Sequence, residues 1–250
     1  MKLQFMSDLH IDHYNHFFEI QPVAPNLALI GDIAQSYTPK MYKFLDSISS
    51  EFERVFFIPG NHEYYGSYID HTDVYLQDLC KDLDIEFLQK KTVEVDGVLI
   101  SGCTLWSHAT PSGFHKTNDE RWIKNFDQEK MVAEHKQHLA FLEQELHKNR
   151  KKPHVVLTHY APMFEMNGIW QNGENNCMFA TDLKYLFQHP LKYWLCGHVH
   201  QNLTNYHNGI PCITNCFGEP EELDIKESFN PYKTIEVVTG EPVPTCAICM

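Results

Sequence analysis

Leu3-Gln4-Phe5-Met6-Ser7-Asp8-Leu9-His10 and Trp194-Leu195-Cys196-Gly197-His198-Val199-His200 share one pattern: an apolar run that stops at two metal-capable side chains spaced two residues apart. Short apolar runs bounded by turn signals read as buried strands. Working outward, Leu27–Ile30 leads into Gly31-Asp32, Val55–Ile58 into Pro59-Gly60-Asn61-His62-Glu63, and Val155–Leu157 into Thr158-His159. Five strands thus deliver a carboxylate, amide or imidazole at their C-terminal ends, the edge where open α/β sheets bind ligands. In extended chain, residues two apart point to the same side. Asp8 with His10, and His198 with His200, are therefore expected to reach into one cavity. The glycines beside Asp32, Asn61 and His198 allow the tight turns this requires.

Helical patterns lie between several strands. Thr38-Pro39 reads as an N-cap with proline at the first helical position, followed by Met41, Phe44, Leu45, Ile48 and Phe52 at helical spacing. A long helix is expected from near Asp127, carrying Met131, Val132, Leu139, Leu142 and Leu146 on one face, and a third from Thr181 to Pro190. Val93 and Val95 alternate with polar neighbours before the hairpin turn Asp96-Gly97 and Val98-Leu99-Ile100. With the strand-like Pro211–Thr214 and Ile235–Val238, this predicts mixed rather than purely parallel sheets. The pattern is one α/β domain over residues 1–240, two long loops at 104–126 and 160–180, and a flexible tail at 241–250.

The chain has 250 residues, enough to bury a core without disulfides. Its net charge is −13 and it has no lysine- or arginine-rich run, which argues against tracking long nucleic acids, since such binding is driven by neutralising phosphates. Small phosphorylated substrates stay compatible, because divalent metals invert the local field. Eight scattered cysteines, several in apolar runs, and no leader before the Asp8 motif point to a reduced, cytoplasmic setting. No apolar stretch approaches a membrane span. Cys246 and Cys249 near the end make neither a prenylation signal nor a complete zinc site.

Sixteen histidines are the unusual count. Aspartate, histidine and asparagine supply hard oxygen and borderline nitrogen donors, a set that suits Mn, Fe or Zn. Seven such ligands (Asp8, His10, Asp32, Asn61, His159, His198 and His200) exceed what one tetrahedral ion takes, so two metals are the natural count. Asp32 is the candidate bridge. Two ions about 3.5–4 Å apart would clamp the attacking and leaving oxygens of a phosphoryl displacement, with a water between them activated to attack phosphorus in line.

The ordered set DLH, GD, GNHE, TH and GHVH resembles the calcineurin-like metallophosphoesterase superfamily, and the run from Met1 to about Val238 is similar to its small single-domain members. That resemblance implies a four-layer α/β/β/α sandwich and hydrolysis of a phosphodiester or phosphomonoester through a metal-bridging hydroxide. It implies Asp8, His10 and His200 on one metal, Asn61, His159 and His198 on the other, and Asp32 between. It gives His62 the role of binding the phosphate and protonating the leaving oxygen. Many relatives carry an acidic residue soon after GD, where this chain has Ile33-Ala34-Gln35.

Other residues carry weaker signals. Tyr64-Tyr65 could line the substrate pocket or pack a loop. Arg121, Lys124 and Asn125 in the 104–126 loop are candidate substrate contacts, while Trp106 and Trp122 read as loop anchors. Trp170, Gln171 and Asn172 could form the other wall. His135, His138 and His147 fall on the long helix as solvated or interfacial residues, and His13, His16 and His71 lack partner spacing. A nuclease of the same superfamily and a silent interaction scaffold are the competing functions. The sequence leaves oligomeric state and physiological substrate open.

Overall fold

The computed structural model describes residues 1–15, 18–148, 150–170, 172–173 and 175–239; His16, Gln171 and the 241–250 tail lie outside them. The first sheet holds β1 (Lys2–Met6), β2 (Asn26–Ile30), β3 (Arg54–Ile58), β4 (Glu86–Phe87) and β11 (Thr234–Glu236) in the order β11-β1-β2-β3-β4. The second holds β5 (Lys91–Val95), β6 (Val98–Cys103), β7 (His154–Thr158), β8 (Leu191–Cys196), β9 (Thr204–His207) and β10 (Ile210–Thr214) in the order β5-β6-β7-β8-β10-β9. Parallel pairing runs through the middle of each sheet, with antiparallel β11, β5 and β9 at edges. The β5–β6 hairpin turns through Asp96 and Gly97, both at positive φ, as that turn type demands.

Side-chain alternation sorts these strands into layers. Leu3, Phe5, Ala28, Ile30, Phe56 and Ile58 face Val98, Ile100, Val155, Leu157, Leu195 and Ile213, forming a dry core between the two sheets. The opposite face of the first sheet (Met6, Leu27, Leu29, Val55, Phe57) is covered by α1 (Pro39–Ser49) and α2 (Ile69–Asp82). The opposite face of the second (Cys103, Val156, Trp194, Cys212) is covered by α5 (Gln128–Lys148). The result is the α/β/β/α sandwich. The same period-2 pattern that makes both faces of the inner strands apolar is what permits four layers.

Local signals set the helix ends. Thr38 Oγ1 accepts the Met41 N–H at 3.3 Å, with Pro39 first in α1, and Asp127 Oδ1 accepts the Lys130 N–H at 2.8 Å ahead of α5. The helix expected over 181–190 does not form. Leu183, Leu186 and Phe187 are buried, but on a 3-10 turn at Lys184–Leu186 that enters β8; one such turn shows the same i, i+3 spacing as a helix. His135 and His138 are buried in α5 rather than solvated. His138 Nδ1 accepts the Leu105 N–H at 2.9 Å, and His135 Nδ1 lies 3.0 Å from the Leu105 carbonyl, pinning the start of the 104–126 loop. Two short helices, α3 (Pro111–Phe114) and α4 (Asp119–Trp122), lie within that loop, and α6 (Leu223–Ser228) precedes β11.

Candidate metal centre

The strand-end loops are bonded to one another before any side chain is considered. Asp8 N–H donates to the Gly31 carbonyl at 3.0 Å, His10 N–H to Asp32 at 3.0 Å, and Gly197 N–H to His159 at 2.9 Å. Asp8, His10, Asp32, His198 and His200 all occupy the left-handed region, with φ between 42° and 66°. The two DxH and HxH pairs are therefore not extended, as the spacing suggested; they converge through a turned backbone. Non-glycine residues held there mark an over-determined site.

The side chains gather in two clusters that share Asp32. In the first, His10 Nε2 and His200 Nε2 are 3.2 Å apart, and His200 Nε2 is 3.4 Å from Asp8 Oδ1. In the second, His159 Nε2 lies 3.2 Å from Asn61 Oδ1 and 3.4 Å from Asp32 Oδ1, with the His198 ring 5.1 Å from that of His159. Asp32 Oδ2 points the other way, 4.0 Å from His10 Nε2 and 3.9 Å from His62 Nε2. One carboxylate thus turns one oxygen to each cluster.

These groups fit divalent cations. His159 Nδ1 donates to the Ile30 carbonyl at 2.9 Å, which leaves its Nε2 lone pair facing the Asn61 oxygen. Two acceptors facing each other in a buried site repel unless a proton or a metal ion lies between them. Asp8/His10/His200 and Asp32/His159/His198 each bring one ligand atom per residue within 4.8 Å of the others. Burial disfavours ionised Asp8 and Asp32, yet the surrounding imidazoles hold both carboxyls well below the usual range. A proton can fill the place of a metal ion at His159: burial opposes a charge there, but Asp32 lifts it to about 9, and burial with the His159 charge presses His198 down to about 3. A metal ion would displace that proton from His159 Nε2.

A family model described as calcineurin-like phosphoesterase matches residues 1–202. The chain belongs to this family. It is 30% identical over 274 residues to the uncharacterized protein L509 of Acanthamoeba polyphaga mimivirus, covering 94% of this chain and 96% of that one. The crystal structure of phosphopantetheinyl hydrolase (PptH) from Mycobacterium tuberculosis superposes with a TM-score of 0.77 at 17% identity, over 96% of each chain. The likeness to that structure is one of fold. Family membership makes this chain a phosphoesterase, and its donor set is of the kind divalent cations take.

The rest of the phosphoesterase site shows what its motifs could not. His62 opens a 3-10 turn, its N–H donates to Asp32 Oδ1 at 2.9 Å, and its ring stacks on Tyr65 at 4.4 Å while keeping 18% exposure to the cavity. Tyr64 does not line that cavity: it is fully buried, its hydroxyl donating to Asp73 at 2.7 Å. Arg121 and Asn125 are not among the residues that line the cavity either. Helix α4 turns Asp119 inward, so Arg121 projects outward, its guanidinium 5.3 Å from the Trp122 ring. Trp106 is a buried anchor, but Trp122 is 48% exposed.

Four carboxylates stand behind the ligands. Glu63 Oε2 accepts the N–H groups of Asp32 (2.9 Å) and Gly60 (2.6 Å), and Oε1 those of Ile33 (2.7 Å) and Ala34 (3.3 Å). It ties the GD and GNHE loops together. Glu222 Oε2 lies 2.6 Å from His200 Nδ1, and Glu219 contacts His13 Nδ1 at 2.5 Å and lies 3.6 Å from His10 Nδ1. His13, which had no partner in sequence, therefore sits at the rim. Asp119, the fourth, bonds Asn61 directly at 2.9 Å. Only the glutamate of GNHE had a sequence signal; the other three reach the site through tertiary contact.

Proposed function

We propose that the chain hydrolyses a phosphodiester or phosphomonoester of a small molecule with two bound divalent cations, drawn from Mn, Fe and Zn. The observation that supports this best is Asp32, whose two oxygens face two separate ligand clusters on the floor of one cavity. Asp8, His10 and His200 would hold one ion and Asn61, His159 and His198 the other, with Asp32 shared. Bound there, the cations would supply positive charge to the phosphoryl oxygens and lower the pKa of a coordinated water.

The chain's own residues supply the rest. His62 reaches the cavity from a backbone N–H anchored on Asp32, and its stack on Tyr65 fixes the ring plane. From there it can donate to a phosphoryl oxygen and hand a proton to the departing alkoxide. The cavity, about 700 Å³, is far larger than a phosphate and of a size that holds a small organic molecule. Its far walls carry the amides of Asn118, Asn167, Asn175 and Gln201 beside Phe179, with Lys116 as the one basic residue among those described outside the histidines. Such walls suit one phosphate on an uncharged, hydrogen-bonding group better than a nucleic-acid strand. Six cysteines are free among the described residues and no described helix is long and apolar enough to cross a membrane; a cytoplasmic setting is part of the same reading.

The test is a phosphoester panel with Mn²⁺-loaded protein, covering aryl monoesters and diesters, nucleotides and 4′-phosphopantetheine esters. Hydrolysis is expected, and His62→Ala should lower kcat by ~10²–10⁴ with metal content retained. Turnover of none of these, with both metal sites filled, would refute the reading.

A further inference from the structure

Asn61 is the one amide among the proposed ligands, and its side chain has two nearly isosteric orientations. Turned one way, the amide offers an oxygen lone pair; turned the other, it offers two N–H groups and cannot bind a cation. Its Oδ1 lies 3.2 Å from His159 Nε2, on the side of the second cluster, and its Nδ2 points away from it. Nδ2 donates to Asp119 Oδ1 at 2.9 Å and to the Tyr65 hydroxyl at 3.2 Å. Asp119 is buried, and three donors converge on it: the Asn61 amide, the Tyr65 O–H at 2.9 Å on Oδ1, and the Tyr160 O–H at 3.2 Å on Oδ2. Burial raises the Asp119 carboxyl, and the hydrogen bonds that Tyr65 and Asn61 place on its oxygen counter that by favouring the carboxylate. A flipped Asn61 would set its oxygen 2.9 Å from a carboxylate oxygen, two acceptors with no proton between them.

We propose that Asp119 is a positioning residue for Asn61, locking the amide so that its oxygen faces the second metal site, a role that rests on the two-cation reading above. The same carboxylate holds the Tyr65 hydroxyl, and Tyr65 carries the ring on which His62 stacks. Asp119 belongs to α4, in the loop that forms a wall of the cavity, and that loop is fastened to the Tyr65 segment by Gly66 N–H to Trp122 O and Lys124 N–H to Ser67 O, both 2.8 Å. One wall residue therefore sets a ligand and supports the platform of the proton donor. Tyr65→Phe would keep the ring beneath His62 but lose both the bond to Asp119 and one of the two acceptors of Asn61 Nδ2.

The experiment is Mn²⁺ titration of the metal-stripped full chain, followed by electron paramagnetic resonance, comparing wild type with Asp119→Asn. The variant keeps the shape but can present an N–H₂ or an oxygen to Asn61, so the preference for one amide orientation is lost. One of two binding phases is expected to weaken by ~10–100-fold, as for other groups that orient a ligand, with the other phase unchanged. Raising Mn²⁺ should restore occupancy of that site. Both phases matching wild type would overturn the assignment of Asp119 alone. A wild-type protein that takes up a single Mn²⁺ would overturn the two-cation reading and this assignment with it. Should Asp119→Asn not fold, hydrogen exchange of the Asn61 side-chain amide in the wild type decides. It is expected to be far slower than that of the exposed Asn118 amide, and equal rates would overturn the proposal.

Discussion

Gly60→Ala introduces a single methyl at the most crowded point of the centre. A Cβ there would lie 2.1 Å from Asp32 Oδ1, 2.6 Å from the Asp32 nitrogen and 2.7 Å from His159 Nε2. Carbon does not approach such atoms within 3.0 Å, so at least one neighbour must move by about 1 Å. Neither can move freely. Asp32 is held by the His62 N–H on its Oδ1 and through its own N–H by Glu63, and His159 is held by the Ile30 carbonyl. Overpacking of a rigid interior costs about 1–3 kcal/mol, and the upper end is expected because no flexible side-chain terminus absorbs it. Urea unfolding in EDTA reads that term without the contribution of bound metal. A Mn²⁺ titration then reads the second, larger consequence, weakened uptake at the position Asp32 shares. Gly66→Ala is the control: nothing lies within 4 Å of its Cβ, and only its φ of +81° opposes the substitution. It should cost roughly 1–2 kcal/mol and leave metal uptake unchanged. Gly60→Ala matching wild type within ~0.5 kcal/mol and binding Mn²⁺ as tightly would refute the close-approach argument.

Three further outcomes are expected. Glu222→Gln removes the carboxylate at His200 Nδ1 and should weaken one Mn²⁺ phase by ~10-fold or more, read by the same titration. Burial raises the Asp73 carboxyl to about 6 against the Tyr64 O–H bond that lowers it, so the protonated form favours the folded state. That contribution is complete below about pH 4 and is lost as pH rises through 6, at most roughly 3 kcal/mol. Asp73→Asn should flatten this slope in urea midpoints taken between pH 4 and 7 with EDTA present. Thr38→Ala deletes the α1 cap and should cost ~1 kcal/mol in the same assay, without altering metal uptake.

The fold was readable where hydrophobic pattern and punctuation coincide. β1, β2, β3, β7 and β8 each carry a short, mostly apolar run cut off by polar residues, and Thr38-Pro39 announces α1. Helix α2 escaped notice because its buried stripe, Ile69, Thr72, Leu76, Leu79 and Cys80, includes a threonine and is interleaved with aspartates. Strand β9 escaped because Thr204-Asn205-Tyr206-His207 is a polar edge. The 181–190 segment misled in the opposite direction, since three buried residues at helical spacing need only one turn.

At the site, the seven candidate ligands were readable because each ends a strand, and the structure gathers them. What stayed hidden is whatever depends on approach in space. Asp119 lies 58 residues from Asn61, and Glu222 lies 22 from His200. His13 gains its partner, Glu219, from 206 residues away. Spacing rules see one element at a time, so they bring out candidate ligands but not the groups that support them. Tyr64 shows the converse error: adjacency to GNHE suggested a pocket residue, but the 3-10 turn sends Tyr64 into the core and Tyr65 beneath His62.

The central claim is that this one site holds two cations with Asp32 between them. Anomalous diffraction from crystals of the Mn²⁺-loaded chain tests it most directly. The expected result is two peaks, one touching Asp8, His10 and His200, the other Asn61, His159 and His198, with an Asp32 oxygen on each. A single peak, or a second one away from Asn61 and His159, would contradict it.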